Sequence, residues 1–111
     1  MSIKGNHMKL DDIIKIMVET HCADDDFCIY GVDRKLFGSK EYLVSSYPQV
    51  DKNDKEVYPQ DAASTGLSYI YSGKQFADVI LSVMEQKPSA NNQDYINALN
   101  YYLENDDFLD I

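Results

Sequence analysis

Phe76, Val79, Ile80, Val83 and Met84 recur at i, i+3, i+4, i+7 and i+8, the spacing that lines one face of an α-helix. Such a stripe has to be buried, so the chain needs a second layer to cover it. Ser72 stands where an N-cap is wanted, Lys87 lies at the far end, and Pro88 forces the stop. Leu10, Ile13, Ile14, Met17 and Val18 repeat the pattern. They predict a helix from Leu10 to about Thr20, with Asp11 and Asp12 in the first turn, at the positive end of the helix dipole. A third helix is expected from a cap at Asn91 to about Asn105, with Asp94 in its first turn. Tyr95, Ile96, Leu99, Tyr102 and Leu103 form its buried face, and Phe108 and Leu109 are expected to fold back onto the domain.

Between the helical stripes the period changes. Phe27–Val32, Glu41–Tyr47 and Leu67–Tyr71 are short, aromatic and β-branched, bounded by the acidic turn 24–26 and by Pro48. Residues 49–66 read as a long polar surface loop. The expected architecture is an α+β domain of order α-β-β-β-α-α, a small antiparallel three-stranded sheet covered by helices. With 111 residues there is room for one domain. Residues 1–7 show no periodicity and read as a leader or vector remnant, leaving 8–111 as the single α+β domain.

No apolar run approaches the ~20 residues of a membrane span, and the first residues lack the apolar core of a secretory signal. The expected location is therefore cytoplasmic, with no membrane partner. Nineteen acids oppose ten bases, for a net charge of −9. That sign argues against direct nucleic-acid binding, which needs a basic surface to neutralise phosphates. Residues 1–50 carry −2 and residues 51–111 carry −7, and no base follows Lys87. A one-signed field of this kind steers a basic partner.

Motifs for chemistry are weak. His21, Cys22 and Cys28 flank Asp24–Asp26, but a structural zinc site draws four ligands from two close pairs. The aspartates lack the glycine and closing glutamate of a calcium loop. No Gly-x-Ser-x-Gly elbow or glycine-rich phosphate loop is present. His21 and Cys22 are adjacent, which does not bring two side chains face to face. The expectation is a protein with no catalytic residues, no metal and no cofactor.

Tyrosine is the unusual component, with nine and no tryptophan. It offers rigid contact area and a hydroxyl at low entropic cost, which suits recognition surfaces. At 100° per residue the third helix turns Tyr102 inward and Tyr101 outward, beside Asp94, Asn97 and Glu104. The candidate partner-binding residues are Tyr101, Asp94, Glu104, Asp106 and Asp107, with Tyr58 and Asp61 as a second patch.

Met8-Lys9-Leu10-Asp11-Asp12-Ile13-Ile14, Glu85-Gln86-Lys87-Pro88 and the run from Ala98 to Phe108 are similar to a family of short acidic bacterial proteins of uncharacterised function. By type, the size, acidity and tyrosine-bearing face resemble the immunity proteins of bacterial toxin systems, including contact-dependent growth inhibition. The nuclease-colicin members carry a Tyr-Tyr pair beside acids on a helix, as Tyr101-Tyr102 does with Glu104, Asp106 and Asp107. They are all-helical, whereas residues 27–71 here look stranded. The resemblance implies a one-to-one complex with a cognate basic toxin, expected to be a nuclease. A regulatory or scaffold domain that self-associates is the alternative.

Overall fold

The computed structural model describes residues 3–110. The elements run β1 (Asn6–Lys9), α1 (Leu10–Glu19), β2 (Cys28–Gly31), β3 (Glu41–Ser45), β4 (Gln49–Val50), β5 (Glu56–Val57), α2 (Gln60–Ser64), β6 (Ser68–Ser72), α3 (Gly73–Gln86) and α4 (Asn92–Asn105). The architecture is α+β, with two corrections to the sequence-based expectation. The main sheet has four strands in the order β1-β3-β2-β6, all antiparallel. The extra strand is β1, in which Asn6 pairs with Val44 and Lys9 with Glu41. Its first two residues, Asn6 and His7, lie in the stretch 1–7 read as a leader, where Ile3 is also buried in the core. The second correction concerns residues 49–66, which are not a plain loop. They contain the β4–β5 hairpin and the short helix α2.

One face of the sheet carries Ile29, Tyr42, Val44, Ile70 and Tyr71 against the apolar stripes of α1, α3 and α4. A register shift opposite Ile29 and Tyr30 lets the consecutive residues Ile70 and Tyr71 both enter this core, as a β-bulge does. The other face is covered more thinly. Cys28, Tyr30 and Leu43 meet Ala62 of α2, with Tyr47, Tyr58, Leu67 and Tyr69 around them.

The helix ends explain why the helices stop where they do. At the end of α1, the Cys22 N–H donates to the Met17 carbonyl (2.7 Å) and the His21 N–H to the Val18 carbonyl (3.2 Å). This is a Schellman closure, and His21 occupies its left-handed position at φ 52°. Glycine takes that conformation without Cβ strain. His21→Gly is therefore expected to stabilise the fold by about 0.5–1 kcal/mol in urea unfolding; a loss would show that the imidazole holds something in place.

The Ser72 hydroxyl accepts the Gln75 N–H at 3.1 Å, starting α3. Asn91 and Asp94 form a reciprocal capping box at the start of α4, at 3.0 Å each way. Lys87 adds an ion pair to Asp94 at 3.2 Å. The Asn91 backbone N–H and the Lys87 ammonium hold the Asp94 carboxyl below its ordinary range. A depressed carboxyl pKa contributes stability above its unfolded value, and that contribution is lost as pH falls through the folded one. Asp94→Asn should thus lower stability at neutral pH and flatten the acid limb of a stability–pH profile; parallel acid limbs would refute the capping role.

Candidate interaction site

The C-terminal half of α4 is fixed from below and open above. Tyr95, Ile96, Ala98 and Leu99 are buried. The Asn100 side chain accepts the Leu36 N–H (2.7 Å) and donates to the Leu36 carbonyl (3.0 Å), locking the 33–36 loop to the helix. The Tyr71 hydroxyl donates to the Leu99 carbonyl at 2.7 Å. Tyr102 stacks on Tyr71 with ring centroids 6.2 Å apart, and Phe108 folds onto Tyr102 at 5.4 Å. Leu109 follows it, packing on the core while its carbonyl accepts from Gln86.

What faces outward is acidic and aromatic. Tyr101 is 36% exposed and Phe108 43%, while Glu104, Asp106, Asp107 and Asp110 are exposed around them. Asp106 caps the C-terminus of α4, sitting in the left-handed region at φ 53° and donating its N–H to the Tyr102 carbonyl. No basic residue lies in the last turn. The carbonyl end of a helix is its negative pole, so acids there are unfavourable. Among the described residues, the ion pairs are Lys4–Asp26, Lys40–Asp33 and Lys87–Asp94, and none involves these acids. Arg34 and Lys35 share a shallow hollow of about 140 Å³ with Glu104. Arg34 also lines a second hollow with Asp106. The Asp107 carboxylate accepts the N–H of its neighbour Phe108, at 2.8 Å.

The seven residues singled out in the sequence fall into three places. Tyr101, Glu104, Asp106 and Asp107 gather at the end of α4, joined by Phe108 and Asp110, which were not singled out. Asp94 caps the opposite end of the helix, roughly 15 Å away by helical rise. Tyr58 and Asp61 lie on the other face of the sheet, where Tyr58 meets Tyr30 edge-on at 5.5 Å. Asp61 accepts the hydroxyl of the buried Ser45 at 2.8 Å, and its side chain also accepts the Ala62 N–H. Its carboxylate is committed to holding α2 on the sheet.

The thiols offer no nucleophile. Burial, with Asp25 and Asp78 adding to it, pushes Cys22 up to about 11, and burial pushes Cys28 up to about 12; the reactive species is the thiolate. No group of three metal-binding side chains comes together among the described residues, and none of their helices is long and apolar enough to cross a membrane. Among the described residues, the Tyr47 hydroxyl is buried with no well-formed hydrogen bond. The nearby Lys74 backbone N–H exerts a lowering influence on its pKa, which burial nonetheless raises. An orphaned buried hydroxyl is unfavourable by about 1–3 kcal/mol. Tyr47→Phe should accordingly leave stability unchanged or raise it by about 1 kcal/mol; a loss in thermal or urea unfolding would reveal a bonded hydroxyl.

A family model described as a domain of unknown function, DUF7716, matches residues 8–111. Comparison with curated proteins and with solved structures finds no match.

Proposed function

This chain belongs to the DUF7716 family, and we propose that it is a non-catalytic immunity protein that neutralises a cognate basic bacterial toxin, a nuclease being the expected class. The carrying observation is the end of α4. Four exposed acids cluster at or just beyond the negative pole of a helix, in no ion pair among the described residues, around an exposed tyrosine and phenylalanine. Alone, that arrangement is a stability deficit; against a basic surface the same charges become complementary. Capture begins with the field of the acidic C-terminal third. Tyr101 and Phe108 then supply the buried anchors, and the bound domain excludes the toxin's substrate. The net charge of −9 and the small size support the same reading.

The test is capture from the source cell's lysate and culture at low and high salt, with partners identified by mass spectrometry. A single basic partner released by salt is expected, because exposed charge pairing is screened. A discrete oligomer with no salt-sensitive partner would instead favour the self-associating scaffold. That second reading has its own observation in the β4–β5 hairpin, where Val50 is 67% and Val57 48% exposed.

A further inference from the structure

The thinly covered face of the sheet, which also carries Tyr58 and Asp61, holds a second candidate site away from the end of α4. The β4–β5 hairpin is closed by Asp51, whose side chain accepts the N–H groups of Asn53 (2.8 Å) and Lys55 (2.9 Å). Val50 and Glu56 are directly paired across it, so their side chains share one face of the ribbon. That face looks onto a hollow of about 280 Å³ lined by Tyr47, Pro48, Val50, Glu56 and Tyr69. Tyr69 belongs to β6 and packs edge-on against Tyr30 at 6.2 Å, which fixes its wall of the hollow. Both lining tyrosines are half-buried, and Glu56 is exposed. The Glu56 carboxylate is close enough to add to the rise that burial gives the Tyr69 phenol.

The lining combines one carboxylate, two phenol rings and two aliphatic surfaces, with no cation among the five residues. Aromatic faces attract cations through the ring quadrupole, and a nearby carboxylate adds a counter-ion. Pro48 and Val50 suit an aliphatic stem rather than a bare metal ion. A planar, weakly hydrated guanidinium stacks on aromatic rings better than an ammonium does. We propose that this hollow is a receptor for one arginine side chain of a protein partner, with the guanidinium against Tyr47 and Tyr69, Glu56 as its counter-ion, and the stem over Pro48 and Val50. The inference goes beyond the toxin-neutralising reading and does not depend on the end of α4.

The test is a chemical-shift titration of the labelled full chain with N-acetyl-arginine methylamide, and with the citrulline derivative as its uncharged isostere. The arginine probe is expected to shift Tyr47, Val50, Glu56 and Tyr69, and the citrulline probe to bind at least about fivefold more weakly. Glu56→Gln, on an exposed ribbon, should weaken arginine binding by a similar factor while leaving the remaining resonances in place. Tyr101→Ala should leave it unchanged. Equal binding of the two probes, shifts confined to the end of α4, or an unaltered titration in Glu56→Gln would each overturn the proposal. Concentration-dependent shifts at Val50 without any probe would also overturn it, by identifying a second copy of the chain as the occupant.

Discussion

Replacing Tyr71 with alanine is expected to remove about 3–5 kcal/mol of stability, the range for deleting a large buried aromatic. Tyr71 is fully buried on β6 and touches two helices at once. Its ring meets Phe76 of α3 edge-on at 5.7 Å and stacks on Tyr102 of α4 at 6.2 Å. Its hydroxyl bonds the Leu99 carbonyl within α4. Deleting the ring leaves a void beneath both helices, and the segment 102–109, folded onto Tyr102, loses its support. Tyr71→Phe separates the contributions: it keeps the ring and should cost only about 1 kcal/mol for the hydroxyl. Because a domain holds roughly 5–15 kcal/mol in total, the alanine variant is left near its limit. Urea unfolding of the two variants, at matched m-values, measures the difference. A loss under about 1.5 kcal/mol for alanine would mean that α3 and α4 close over the gap, and that Tyr71 is not what pins them to the sheet.

The parts of this fold that were legible in the sequence are those decided within a few residues. The α3 cap at Ser72, the Asn91–Asp94 pair opening α4 and the Pro88 that separates the two helices are local chemistry. The structure places each of them there. β1 was hidden because Asn6-His7-Met8-Lys9 is a polar edge strand. Only Met8 turns partly inward, so no two-residue alternation marks the strand; its pairing with β3, some 35 residues away, creates it. The β4–β5 hairpin was hidden for a related reason. Its turn is made by the Asp51 side chain and by Asp54 at φ 60°, not by an Asn-Gly or Asp-Gly pair that would announce it.

The candidate site divides along the same line. The helical phase separates Tyr101 from Tyr102 using adjacent residues alone, and Tyr102 does pack inward on Tyr71. Where Tyr58 and Asp61 lie is a question of which sheet face α2 covers, and that follows from strand pairing. Phe108 was assigned to the folded-back tail; its ring rests on Tyr102 and is still 43% exposed, so it both supports the helix end and faces outward. The signal that could have drawn attention to it is its position directly after Asp106-Asp107.

Reversing charge at the end of α4 should move stability and binding in opposite directions. Glu104 lies in the last turn and Asp107 just beyond it, at the negative pole of the helix, where each acid is unfavourable and each lysine favourable by about 0.3–1 kcal/mol. Glu104→Lys with Asp107→Lys is therefore expected to stabilise the domain by about 1 kcal/mol. Asp106→Gly, which relieves a left-handed aspartate, should add up to about 1 kcal/mol more. Each reversal adds two positive charges, so the double variant carries −5 instead of −9. Its capture of a basic partner at low salt should fall, and Tyr101→Ala, which removes an anchor without touching charge, should weaken the complex at least about tenfold. Urea unfolding measures the first effect on the protein alone, and titration against the captured partner measures the second. The combination is the informative result, because an acidic cluster that served solubility alone would gain stability on reversal and lose no affinity. If the lysine variant were less stable, Arg34 and Lys35 across the hollow would be the counter-charges that already satisfy these acids, and the end of α4 would be a structural element rather than an interaction surface.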